Sequence, residues 1–581
     1  MINFLSSIKS YLVRVGQGLR LLPSVRRNQI PLVLESFNKR DFYALSALGL
    51  VIVLAGGFLI YNYAGKTQGN TPDYGGEIVE GLVGQPQFIN PILAPASSVD
   101  SDLSKVVYAQ LLKFDDELNL VPDMAEELPE VSEDQKVYTM KLKPNLRWHD
   151  GQAIQADDVI FTVETIQNAD YESPLRTNWG RVKVEKKDDL TIVFTLREVS
   201  ASFITNFVLP IIPKHIWENT SPSNFRLSDY NLRPIGSGPY VFREIKKTSD
   251  GTIRSLTLKS NENYHEGRPY IDRITFKFYN DYDGLINAFQ GREIDTLGYL
   301  PFDRKSLESN GKFNQHQFNL PQYQAVFFNL PKSAVLADKS VRQALWLSTN
   351  RENIISEVYL GYAKPAYGPI LEGNLGYAKE IAERTHTSTV EAASILDKAG
   401  WVLDQATNTR SKNNRRLEFN LATNNFVVNV KTAQILQEQW QQIGVTVNLI
   451  IVSPQELQQD YIRSRNFDAL LFFENTGADP DPYPFWHSSQ ARDPGLNLSG
   501  FSNAEADRLL TTARQTSDTN VRSQNYHQFQ NIITNELPAV FLNNVVYVYN
   551  VPGKLQGLDF ETIIQPSERF LNVNKWYLET K

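Results

Sequence analysis

A run of 22 uncharged, mostly apolar residues, FYALSALGLVIVLAGGFLIYNY at 42–63, splits this chain into a short arm and a long body. About 20 such residues cross the hydrocarbon of a bilayer as a helix. Phe42, Tyr43, Tyr61 and Tyr63 stand where the two interfaces would fall. The run therefore predicts one N-terminal transmembrane helix. Residues 1–41 carry seven basic and two acidic side chains, a net +5, so a total of −7 leaves −12 on the remainder. Asp73, Glu77 and Glu80 follow the span, and the positive-inside bias puts 1–41 in the cytoplasm and the body outside. A cleaved signal peptide would need a shorter leader and an A-x-A site, which is not evident near Ala64, so an uncleaved anchor is expected. Phe4, Leu5, Ile8, Tyr11, Leu12, Val15, Leu19 and Leu22 have helical spacing. It suits an amphipathic helix on the inner leaflet, or a partly disordered basic tail. Residues 64–74, polar with Gly and Pro, read as a linker.

The chain has 581 residues, and single cores stop growing near roughly 250–300 residues, so the body needs more than one lobe. It has no cysteine, which excludes disulfides, thiolate nucleophiles, zinc–thiolate and iron–sulfur sites and a lipidated-cysteine anchor. Its acidic balance argues against nucleic acid as a partner. The seven histidines are scattered, and no H-E-x-x-H, Walker A or G-x-S-x-G pattern occurs. No catalytic group, metal or cofactor is expected.

Strand patterns fall at 76–83, 137–142, 191–196, 274–278, 326–329, 417–422, 445–452, 467–473 and 545–549. Helical patterns fall at 99–110, 156–168, 282–290, 340–349, 351–361, 389–399, 430–443, 454–464, 504–514 and 521–534. Ser340, Asn350, Ser388 and Ser453 read as caps. Strands alternating with helices predict α/β lobes. Asp479-Pro480-Asp481-Pro482-Tyr483-Pro484 has three prolines in five positions and excludes helix and central strand, so it is expected to be a rigid loop leaving a strand end. Ligands gather at such loops in α/β sheets.

The body, roughly 75–580, resembles the solute-binding proteins of peptide-type ABC importers, the dipeptide- and oligopeptide-binding proteins of solute-binding family 5. The resemblance is carried in order along the chain. It begins with Pro86–Pro91 (PQFINP), Tyr108–Asp115 (YAQLLKFD), Tyr138–Gly151 (YTMKLKPNLRWHDG) and Ala156–Phe161 (ADDVIF). It continues with Pro234–Tyr240 (PIGSGPY), Asn263–Pro269 (NYHEGRP), Gly291–Asp295 (GREID), Val341–Leu345 (VRQAL), Ala399–Trp401 (AGW) and Phe467–Ala469 (FDA), leading to Asp479-Pro480-Asp481. It implies a bilobal α/β, periplasmic-binding-protein-like fold of type II with an extra domain. By analogy lobe I is 75–112, 230–324 and 545–581, the extra domain 113–229 and lobe II 325–544. It also implies closure of two lobes around a ligand, a monomer, delivery to an ABC permease, and Trp148-His149-Asp150-Gly151 as architecture. Some relatives of this type take nickel chelates or sugars; a non-peptide solute, or a sensing role for the basic arm, is the alternative.

An extended peptide needs backbone partners, roomy pockets and charges for its termini. Gly236-Ser237-Gly238 can bring bare backbone to a ligand or make a tight turn. The resemblance implies a carboxylate for the peptide ammonium three positions before the first Asp of the DPD loop, yet Thr476 stands there, with Glu474 and Asp479 as substitutes. Asp479 equally suits a cap of its own loop. Lys431 is the cation for a ligand carboxylate or a solvated lysine. Asn424, Phe426 and Trp486 are pocket walls or core filling. Phe88, Asn90, Ser237, Gly238, Phe328 and Asn329 complete the candidate set with these residues.

Overall fold

The computed structural model describes residues 54–55, 71–298 and 313–580. Apart from Leu54 and Ala55, the 42–63 span lies outside the described residues, as do the basic arm and most of the linker. Among the described residues no helix is long and apolar enough to cross a membrane.

The fold is built on one large mixed sheet. Its main strands, numbered along the chain, are β1 (Glu77–Val83), β2 (Tyr240–Lys247), β3 (Ile253–Ser260), β4 (Arg273–Tyr279), β5 (Thr296–Gly298), β6 (Phe313–Phe328), β7 (Glu418–Asn424), β8 (Thr446–Val452), β9 (Ala469–Asn475) and β10 (Ala539–Pro552), and a further short strand, Ala363–Pro365, pairs with β10. Their spatial order is β8-β7-β9-β6-β10-β5-β1-β4-β3-β2. Strand β4 (RITFKFY) shows the two-residue period, burying Ile274, Phe276 and Phe278. The flanking helices used below are α1 (Ser98–Val107), α2 (Arg351–Tyr359), α3 (Val427–Gln441), α4 (Ala504–Arg514) and α5 (Thr519–Glu536). Glu130–Val131, Val137–Lys141, Thr191–Leu196 and Val182–Lys186 make a separate four-stranded sheet.

Pro72–Glu579 is one compact unit with two large apolar cores. The first gathers residues from 78 to 278 with Phe318, Leu320, Tyr547, Tyr549 and the C-terminal segment through Trp576. The second gathers Tyr323 through Val545. Among the described residues, strands β6 and β10 contribute to both cores. Their antiparallel register breaks where the core changes: Asn319 faces Val546 but Tyr323 faces Asn544, so β6 spends four steps where β10 spends two. A second slip follows, since Gln324 faces Asn543 but Ala325 faces Phe541.

Both strands are much longer than the expected 326–329 and 545–549. The first half of β6 (FNQHQFNLPQ) is polar and contains Pro321, and Asn543-Asn544 interrupts the apolar run of β10. Pairing with β10 overrides the signal in the first half of β6, and β10 is flanked at Asn543-Asn544 by β6 and by Ala363–Pro365. The hairpin β2–β3 lies outside the expected strands. Ser340 is not a cap: Asp338 accepts from the Ser340 N–H and starts that helix at Lys339. Asn350, Ser388 and Ser453 do cap theirs.

Candidate ligand-binding site

Strands β8, β7 and β9 are parallel, so their carboxyl ends, at Val452, Asn424 and Asn475, open on one edge. Such an edge leaves strand-end carbonyls and helix N-termini facing solvent, which is where open α/β sheets take ligands. After β9 the chain turns at Gly477, whose φ of +70° suits glycine, and its N–H is held by Asn475 Oδ1 at 2.8 Å. The proline loop follows and gives way at Tyr483 to the short helix Tyr483–Trp486, so helix takes in the last two residues of the 479–484 stretch expected to exclude it, because proline is tolerated in a helix's first turn.

Most acids of this edge are already engaged. Asp479 pairs with Arg522 of α5. Asp481 lies 3.4 Å from Arg514 of α4, whose guanidinium covers the Tyr483 ring at 4.5 Å. Glu474 is buried, and its Oε1 accepts from Tyr323 Oη at 2.5 Å. Oε2 is buried without a partner among the described residues. Burial with no cation beside it pushes Glu474 up to about 8, so the carboxyl is neutral at pH 7. Thr476 donates its N–H (2.8 Å) and its hydroxyl (3.1 Å) to the Pro321 carbonyl.

A buried network of uncharged groups backs the edge. Gln324 Oε1 accepts from Tyr359 Oη of α2 and Asn543 Nδ2 of β10, both at 3.0 Å. Gln324 Nε2 donates to Asn429 Oδ1 at 2.8 Å, and Asn429 Nδ2 to Asn424 Oδ1 at 2.8 Å. Asn424 Oδ1 also takes the Phe426 N–H at 3.1 Å. These bonds fix the β7–α3 corner, where Phe426 is 54% exposed and Val427 42%. Lys431 is exposed one turn into α3.

The structure thus brings Asn424, Lys431, Glu474, Thr476 and Asp479 to one end of the second core. Trp486 is 1% exposed, packed on Phe327 (6.0 Å) and Phe541 (5.8 Å). Phe328 and Asn329 are not brought there. Phe328 faces Ala469 while Gln322 faces Asn475, six steps or about 20 Å along the strand. Phe328 is buried, and Asn329 Nδ2 ties the carbonyls of Arg465 (2.9 Å) and Phe467 (3.0 Å).

Phe88, Asn90, Ser237 and Gly238 belong to the first core's side. Arg226 covers the Phe88 ring at 5.2 Å, and Asn90 is fully buried, accepting from the Ile92 N–H at 3.2 Å. Ser237 Oγ accepts from the Ala109 N–H at 3.2 Å. A Cβ on Gly236 would lie 2.1 Å from the Val107 carbonyl oxygen, and one on Gly238 2.7 Å from the Val107 carbonyl carbon. The glycines admit the end of α1 rather than open space. His149 clips the same loop: its Nδ1 accepts from the Gly236 N–H (3.2 Å) and its Nε2 donates to Gly238 O (3.1 Å). Burial drives it down to about 4, which keeps it neutral.

Asp123, His265 and Glu266 offer ligand atoms within 4.8 Å of one another. However, His265 Nε2 bonds Asp123 Oδ1 at 2.8 Å, and Lys113 pairs with Glu266. An ammonium already balances that cluster. Tyr323, Gln324, Asn429, Asn543 and Asn544 are absent from the sequence-derived set. For all of these but Asn429, which lies in α3, the one signal is amides and a tyrosine inside otherwise apolar strands, QYQAVFF and FLNNVVYVY.

The sequence profile of bacterial extracellular solute-binding proteins, family 5 (middle region), matches residues 119–495. The oligopeptide-binding protein AppA of Bacillus subtilis is 31% identical over 556 residues, 93% of this chain and 99% of that protein. The Escherichia coli dipeptide-binding protein is 24% identical over 509 residues, 82% of this chain and 90% of that one. The solved structure of Bacillus subtilis AppA with a nonapeptide superposes with a TM-score of 0.71 at 29% identity, covering 88% of this chain and all of that one. A peptide-binding protein AppA structure from Clostridium difficile gives 0.75 at 25% identity, covering 87% and 100%. The chain belongs to the bacterial extracellular solute-binding proteins of family 5.

Proposed function

We propose that this chain is a membrane-tethered, extracytoplasmic binding protein that captures peptides and delivers them to an ABC importer permease. The end-to-end likeness to an oligopeptide-binding protein, in sequence and in a nonapeptide-bound structure, carries the reading. The strand-end edge at Asn424 and Asp479 supplies the ligand surface, with Lys431 as a cation for a ligand carboxylate. The ligand closes between two lobes: 75–112, 230–324 and 545–581 in one, 325–544 in the other, with 113–229 as an extra domain. The change of core between Leu320 and Tyr323, and between Val545 and Tyr547, supports that division. The apolar run 42–63 and its basic leader support the tether. We assign the chain no catalysis, cofactor or nucleic-acid partner, and read it as a monomer.

Thermal unfolding of the purified protein against a pool of short peptides tests this. A ligand at 100 times its Kd stabilises the native state by about 2.7 kcal/mol, so binding peptides raise Tm clearly. A pool in which none raises it overturns the reading.

A further inference from the structure

At residues 320–322 β6 leaves its ladder with β10, and Pro321 has no N–H to offer. Three successive carbonyls are taken up by second-core residues. Asn544 Nδ2 donates to Leu320 O at 2.6 Å and to Gln322 O at 2.7 Å. Thr476 gives Pro321 O both its N–H and its hydroxyl. Next to Thr476, Asn475 Nδ2 reaches the carbonyl of Ile564 at 3.4 Å, beside Ile563 of the first core. The excursion lies where the core changes, so it is the place at which β6 can bend while breaking fewest ladder bonds. Among the described residues three donors outside the strand ladders fix its carbonyls, and two of them come from the residue that begins the ligand-edge loop.

We propose that Thr476 and Asn544 form a latch on the 320–322 excursion, and that Thr476 is a positioning residue: it ties the ligand edge to the strand crossing instead of holding the ligand itself. The hydroxyl proton of Thr476 is already committed to Pro321. A displacement of the loop by ligand pulls on the crossing, and a change of the crossing moves the loop. This inference rests on the two-lobe capture proposed above.

The chain has no cysteine, so Lys246→Cys and Val390→Cys, both at exposed positions on the two cores' sides, report the inter-lobe distance after spin labelling. In ligand-free protein Thr476→Val is expected to shift or broaden that distance distribution. It is also expected to change the Kd of a binding peptide by at least about threefold, because affinity scales with the competent fraction, with Tm moved by no more than about 2 °C. Thr476→Ser restores both. Asn544→Ala acts in the same direction more strongly; if it does not fold, the Thr476 pair decides. An unchanged ligand-free distribution in Thr476→Val overturns the latch: weakened binding then marks Thr476 as a ligand contact, and unaltered binding marks the bond as idle. If no peptide binds the parent protein, the capture reading falls, while the ligand-free distances still decide the latch.

Discussion

The polar group at the sheet centre of the first core is ionic, whereas the network behind the candidate ligand edge of the second is made of uncharged amides. In the first, Arg569, 1% exposed, meets Asp102 at 2.7 Å and Glu80 at 2.8 Å, and Tyr549 donates to Glu80 at 2.7 Å. Burial raises Asp102 above the usual carboxylate range, opposed by the adjacent guanidinium. In the second, Gln324, Asn429, Asn424 and Asn543 link β6, β10 and the β7–α3 corner with no net charge. An ionic centre tolerates the loss of no partner, since each missing group strands a buried charge. An amide both donates and accepts, so its bonds can be exchanged while the surrounding strands bend. The rigid solution sits in the core away from the strand-end edge. The exchangeable one sits behind the candidate ligand edge and beside the break in β6.

Removing the ionic centre gives the sharpest test of that contrast. Arg569→Met leaves Glu80 and Asp102 buried together and is expected to cost about 3–5 kcal/mol in urea unfolding, with the loss reduced at low pH as the carboxylates protonate. A loss below 1 kcal/mol at pH 7 would mean the pair is not the keystone of that core.

Glu474 is the one strongly shifted acid at the second core's edge. The fold holds its proton up to about pH 8 while the unfolded chain releases it near 4.5. Stability is therefore lost as pH rises between those values and levels off above them. Glu474→Gln keeps an acceptor for Tyr323 and removes this dependence. It should match the parent at pH 4 and exceed it at pH 9 by up to about 5 kcal/mol, at about 1.4 kcal/mol per pKa unit. Parallel pH profiles for the two proteins would contradict a neutral Glu474.

Gln324→Leu breaks the amide centre and strands Asn429 and Tyr359. It is expected to cost about 1–3 kcal/mol, equally at pH 5 and pH 8 because no member is charged. A cost that varies with pH would show that the two centres do not differ as described. Lys431→Ala, on a solvated helix face, is expected to move stability by less than about 0.5 kcal/mol. Its readout is binding of peptides with free against amidated carboxyl ends.

Elements with a complete local signal were legible. Strand 191–196 and helices 282–290 and 504–514 have the expected bounds, because period, cap and flanking turn agree. The strand crossing was not legible, because β6 and β10 owe their length to partners far away in sequence. The bond from Thr476 to Pro321 spans 155 residues, and that from Arg569 to Glu80 spans 489. The sequence marked Thr476 as a departure from the family pattern, but nothing local names a carbonyl as its partner. Gly236 and Gly238 suit ligand backbone or a turn equally in the sequence, and the approach of Val107 that requires glycine there has no local signal.

The most direct test of the account is the identity of what the protein carries. Purified protein is mildly denatured, the released material identified by mass spectrometry, and the recovered compounds returned to stripped protein while Tm is followed. The account predicts a mixture of short peptides that restores Tm. A single non-peptide species that does so would contradict peptide capture and leave only the fold standing.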